Sequence, residues 1–145
     1  MSTVIDITDA VVAALNGHAF SQPFTAERCY VPAFDLKDMK DLHVTVVPRG
    51  LEMSTASRSL LQDDVQIDVA VQKKLPTDAS GDKAAIDALM GLVQEIADSV
   101  RATGRFGGAV WVKTENKPIY SPDHLEQLRQ FTSVLTLTLR VPRQP

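Results

Sequence analysis

A chain of 145 residues, 44% hydrophobic and 23% charged with a net charge of −3, is long enough to close one core and too apolar to stay disordered. No run approaches the roughly 20 uninterrupted apolar residues of a membrane span, and the start Met-Ser-Thr-Val-Ile-Asp lacks the basic segment of a signal peptide and carries Asp6 and Asp9 where its apolar region would run. The acidic balance argues against a dedicated nucleic-acid binder, and one cysteine, Cys29, excludes an internal disulfide and fits a reducing compartment.

Ile7, Val11 and Leu15 recur at i, i+4 and i+8 and predict a short helix over about residues 6–16, capped by Asp6 and stopped by Asn16-Gly17, which tolerate positive φ. Pro23 opens an extended run, and Cys29, Tyr30, Val31 and Phe34 read as a first strand within about 25–34; Pro32 puts it at an edge. A charged loop follows over about 35–41. Leu42, Val44 and Val46 share one face of a second strand that Pro48 ends, and the small polar residues over about 49–59 read as a long hairpin loop. The clearest period of two spans about 60–74: Leu61, Asp63, Val65, Ile67, Val69 and Val71 on one parity, Gln62, Asp64, Gln66, Asp68 and Gln72 on the other.

After a linker over about 73–81, Ile86, Leu89, Met90, Val93, Ile96, Ala97 and Val100 keep a 3.6 period and predict a long helix over about 82–102. Ser80 or Asp82 suits its start; Thr103-Gly104 closes it. Ala109–Lys113 reads as a short strand, Ser121-Pro122 as the cap and first residue of a short helix, and Phe131, Ser133, Leu135, Leu137, Leu139 and Val141 as one face of the longest, most regular strand, central in the sheet and ending at Pro142. The order α-β-β-β-α-β-(short α)-β predicts a single α+β domain. Its mixed, mainly antiparallel sheet has about five strands, the first three forming a meander, with the helices packed on one face. The Ile86/Met90/Val93/Ile96/Val100 stripe should lie on Val65–Val71 and Leu135–Leu139, one parity per strand being buried.

Chemistry is sparse. His18, His43 and His124 have no metal-ligand spacing, and Cys29 beside His43 would make a nucleophile and base with no third group to orient them. Gly104-Arg105-Phe106-Gly107-Gly108 follows a helix instead of opening one, so it reads as a cap and turn, not a phosphate cradle. Asp63 and Asp64 read as surface charge. Trp111 reads as core, with an interface anchor as the competing reading. No catalytic, cofactor or metal residue is expected, and the chain reads as a non-enzyme.

Polar loops are long for so small a domain, and loops on a rigid scaffold carry partner contacts. The interface candidates are Asp35, Lys37, Asp38, Lys40, Arg49, Glu52 and Arg58 on the first two loops, with Lys117 and Tyr120 on the segment near 114–123. Arg49 and Arg58 are expected to face acidic groups of a neighbouring subunit or partner, since mixed charge at a boundary sets register.

The segments Ala10–Asn16, Val65–Val71 and Phe131–Leu139, in an order of short helix, three strands with a long second loop, crossover helix and two strands, resemble the tail-terminator proteins of long-tailed bacteriophages, lambda type, and related minor tail proteins of prophages. The resemblance covers nearly the whole chain as element order, with no catalytic motif and no functional residue to carry over. It implies a structural virion protein without cofactor, at the tail or neck and assembled in the bacterial cytoplasm: a homo-oligomeric ring, a hexamer, that stops tail-tube growth and meets the head-side connector or stopper. Nucleic acid and membrane are not among the implied partners. Neck and head-closure ring proteins have similar dimensions. From another class, a small cytosolic ligand-binding or regulatory domain would need polar groups converging on an apolar pocket.

Overall fold

The alternation of Val65, Ile67, Val69 and Val71 with polar residues makes a half-buried strand, and the architecture is arranged around it. A computed structural model describes residues 3–30, 41–58, 60–75 and 82–143. In chain order these form α1 (Thr3–Asn16), β1 (Ala26–Arg28), β2 (His43–Ser57), β3 (Leu60–Lys74), α2 (Asp82–Thr103), β4 (Arg105–Phe106), β5 (Ala109–Glu115), α3 (Pro122–Leu128) and β6 (Gln130–Arg143). The described strands build one mixed α+β sheet, order β1-β2-β3-β6-β5-β4, curled into a half-barrel.

The predicted core is present. Val65, Ile67, Val69 and Val71 pair side by side with Leu139, Leu137, Leu135 and Ser133, and Val44 and Val46 continue the same face on β2. Leu89, Leu92, Val93, Ile96 and Val100 of α2 and Ile7, Val11 and Leu15 of α1 are buried in one cluster with them. Leu92 joins the predicted α2 stripe, while Ile86 and Met90 lie half-buried at its border. Because the sheet curls, α1 touches β1 and β2 at one end and β4 at the other, while α2 lies over β5 and β6.

Several expectations need correction. Helix α1 starts by Thr3, so Asp6 lies in its first turn and is not its cap. Gly17 is not at positive φ; its amide continues the helix to Ala13 O at 3.0 Å. Asn16 instead joins the helix end to the sheet, its Nδ2 donating to Ala26 O at 3.1 Å and its Oδ1 accepting from Ala26 N at 2.7 Å. The first strand is an edge strand as expected, but it runs only from Ala26 to Arg28 and pairs parallel to β2, so the first three strands are not a meander. A sixth strand, β4, forms where a turn was expected. Gly104, at φ 70°, still closes α2. Strand β6 is central, flanked by β3 and β5, yet with 14 residues it is shorter than β2 and β3, which have 15 each. Burial is not confined to one parity either, because Thr45, Val47, Ala70 and Gln72 on the opposite face are also buried. Pro32, the loop from 35 to 40, Ser80 and most of the linker lie outside the described residues.

Candidate functional site

Residues 49–57 were expected as a loop and are strand. The ladder between β2 and β3 runs from His43↔Gln72 to Ser57↔Leu60, with register irregularities between Pro48 and Gly50 and between Thr55 and Ser57. Proline ends a regular strand because it lacks an N–H, but a bulge leaves a residue out of the ladder, so the chain continues past Pro48. On its other side β2 pairs with β1 only through Val44–Val46, together with Cys29 N to Val46 O. Beyond Val46 no described strand covers that edge. The result is an extension of the sheet, the β2–β3 arm, about ten residues a side and roughly 30 Å long at the usual strand rise, in which β6 backs β3 as far as Leu61↔Arg143 and the outer edge of β2 is left uncovered among the described residues.

The bulge sets which side chains the arm presents. Leu51 pairs with Val65, Met53 with Asp63 and Thr55 with Leu61, so these β2 residues continue the face that the helices cover farther down. Past the helices no described element covers that face. Leu51 is 49% exposed, Met53 65% and Leu61 36%, with Leu60 at 40% beside the turn. These are the functional candidates that sequence reading missed; the alternation Leu51-x-Met53 was the available signal.

The outer face of the sheet is charged and internally paired. Arg140 donates to Asp64 through Nε at 2.8 Å and Nη2 at 3.1 Å, and that hydrogen bond and charge raise the guanidinium pKa above its ordinary value. Thr136 Oγ1 donates to Asp68 at 2.8 Å, and Arg49 reaches both Asp68 and Thr136. Lys113 and Glu115 meet at 2.8 Å. Their hydrogen bond, then their mutual charge, raise the ammonium pKa and lower the carboxyl pKa.

The described members of the sequence-predicted interface set stand on different elements. Asp35, Lys37, Asp38 and Lys40 lie outside the described residues. Arg49 sits at the bulge and meets Asp68 of its own chain, Glu52 is exposed on the outer face opposite Asp64, and Arg58 is exposed at the tip of the hairpin. None of these three is in a long loop as expected. Lys117 is exposed, and Tyr120 is half-buried with its ring 6.4 Å from that of Phe131.

The chemical candidates separate in the same way. His18 packs on Phe20, His43 opens β2, and His124 Nδ1 lies 2.9 Å from Thr132 Oγ1 beneath α3. No group of metal-ligating side chains forms among the described residues. Burial, then the charge of Glu27, raise the Cys29 thiol pKa, the opposite of what a nucleophile needs. Asp63 is buried at 4% exposure, which corrects its reading as surface charge; Asp64 is engaged by Arg140. Trp111 is half-buried, its indole N–H donating to Thr114 Oγ1 at 2.8 Å, so the core reading holds in part.

Two grooves flank α2. One, about 790 Å3, is lined by Leu75, Ala85, Ala88 and Leu89 with Ser21, Gln22, Lys73 and Lys74. Two of its polar side chains are engaged elsewhere, Ser21 with Glu95 and Gln22 with Ala88 O. The other, about 460 Å3, lies between α2 and β5 and includes Val93, Ala97, Trp111, Thr114, Ile119 and Leu135. Ile119, at 53% exposure, stands at its rim. No protein-family model and no curated protein matches this chain.

Proposed function

We propose that the chain is a structural subunit of a tailed-phage virion, assembling as a homo-oligomeric ring that terminates the tail tube and joins it to the head-side connector. The supporting observation is the β2–β3 arm: a long β2 edge, uncovered among the described residues, that bears the exposed Leu51 and Met53, with Leu60 and Leu61 exposed on the neighbouring β3. Such an edge is a template for pairing with another chain, and an exposed apolar strip marks an interaction surface. The resemblance to tail terminators read from the sequence supplies the class, and six copies is the ring it implies; the helix–strands–crossover helix–strands order behind it remains, without the meander and the long second loop. The partners are then the chain itself, the tail-tube protein and the connector or stopper.

Light scattering and negative-stain imaging of the purified protein test this. Closed rings with a mass several times that of one chain, which also halt growth of tail-tube protein, are the expected result. A protein that stays monomeric at high concentration and again with tail-tube protein overturns the reading and moves a ligand-binding role ahead.

A further inference from the structure

We propose that each copy grips the next with its β2–β3 arm. The outer edge of β2 beyond Val47 adds antiparallel to the outer edge of β5 at residues 112–115 of a second copy, and Leu51 and Met53 enter the groove between that copy's α2 and β5. The proposal rests on the ring reading and adds the two surfaces that make the contact.

Three features of the chain select this partner. The first is polarity. β2 is antiparallel to β3, β3 to β6 and β6 to β5, so β2 and β5 run in opposite directions. Both have an edge uncovered among the described residues, since β4 pairs only with Ala109 and Val110 and the Trp111 amide goes to Gly104 O. The two ends of one sheet therefore meet as an antiparallel pair in the next copy without inverting either sheet.

The second is facing. Leu51 shares the face of Val65, and Trp111 and Thr114 share the face of Leu139 and Leu137. Continuing the sheet places Leu51 and Met53 on the side where α2 lies, which is where Val93, Ala97 and Leu135 line a groove. Apolar side chains from the arm would exclude water there.

The third is charge. The uncovered β2 edge from 47 to 57 has Glu52 at its midpoint. A two-fold pairing of one arm with another sets two Glu52 carboxylates opposite each other, which is repulsive. Pairing with β5 instead sets Glu52 on the face that carries Lys113, whose ammonium already holds Glu115 of its own strand at 2.8 Å and has further N–H donors for a second carboxylate. One patch meeting a different patch is the head-to-tail contact that a closed ring requires.

Cross-linking separates the possibilities. In a Cys29→Ser background, Met53→Cys protein is mixed with mass-tagged Ala97→Cys protein and treated with a short bismaleimide. The expected product joins the two different variants, and Met53→Arg in the otherwise native chain weakens assembly at least about tenfold with its circular dichroism unchanged. A product joining Met53→Cys to itself shows arm-to-arm pairing and overturns the proposal. Rings that form with no cross-link and tolerate Met53→Arg overturn the proposed contact and leave the ring standing. A monomer with no cross-link overturns both.

Discussion

Replacing Asn16 by Ala removes a clamp that ties the end of α1 to the edge of the sheet. Ala26 presents its N–H and C=O to the Asn16 amide at 2.7 and 3.1 Å and pairs with Val44 of β2 on its other side. The side chain thus stands where the next strand would be. Two hydrogen bonds are lost together, each with a net value of about 0.5–1.5 kcal/mol, so the expected loss is about 2 kcal/mol. Water can reach the exposed Asn16 position, which holds the cost below that of two fully dry, unpaired groups. For a chain of this size the melting temperature should fall by about 4–8 °C. Urea unfolding followed through Trp111 measures the loss, with an unchanged slope showing that the denatured state is unaltered. Amide exchange at Ala26 should quicken. Asn16→Asp keeps the acceptor for the Ala26 amide but opposes a carboxylate to the Ala26 carbonyl; it should be at least as damaging at neutral pH and recover in acid, where the protonated oxygen can donate. A loss below about 0.5 kcal/mol in Asn16→Ala, with Ala26 exchange unchanged, would refute the clamp.

Ile96 is fully buried beneath α2, so Ile96→Ala should cost about 2–5 kcal/mol in urea unfolding; Val93→Asp, which places a charge in the same layer, should cost at least as much. Glu115 should titrate below the ordinary carboxylate range in a carbon-detected NMR titration, and Lys113→Met should return it toward that range. A lowered folded-state pKa contributes stability above the carboxyl's unfolded pKa and loses it as pH falls through the folded pKa. Any difference between the native chain and Glu115→Gln should therefore appear near neutral pH and vanish in strong acid.

Period and burial explain what was legible in the chain. β3 and α2 were readable because Val65–Val71 and Leu89–Val100 each bury a face against a partner, and burial enforces the period. The short helix α3 was readable from Ser121-Pro122, whose hydroxyl accepts from His124 N. β1 was overestimated because Cys29 and Tyr30 resemble strand residues, although strand pairing is assigned only to Ala26–Arg28. Its parallel direction is set by tertiary pairing, which no local pattern records. β4 consists of two residues and follows from the tight turn at Gly107, at φ 61°, instead of from any periodicity.

The arm was lost at Pro48. A rule that proline ends a strand assumes a regular ladder, and here Pro48 precedes a bulge at Arg49. That one extra residue has two consequences. It frees Arg49 to reach Asp68 and Thr136 across the outer face, so a side chain expected to seek a neighbour's acid already has an acid of its own. It also shifts the parity of everything after it. Before the bulge the even positions Val44 and Val46 face the core; after it the odd positions Leu51 and Met53 take that face, and Glu52 is turned outward. Read without the bulge, the same residues put Glu52 inward and the two large apolar side chains on the charged surface, an arrangement with no strand-like sense. The bulge at Arg49 is therefore what turns Leu51 and Met53 onto the face that the helices cover farther down the sheet, while the Arg49 side chain itself stays half-exposed beside Asp68.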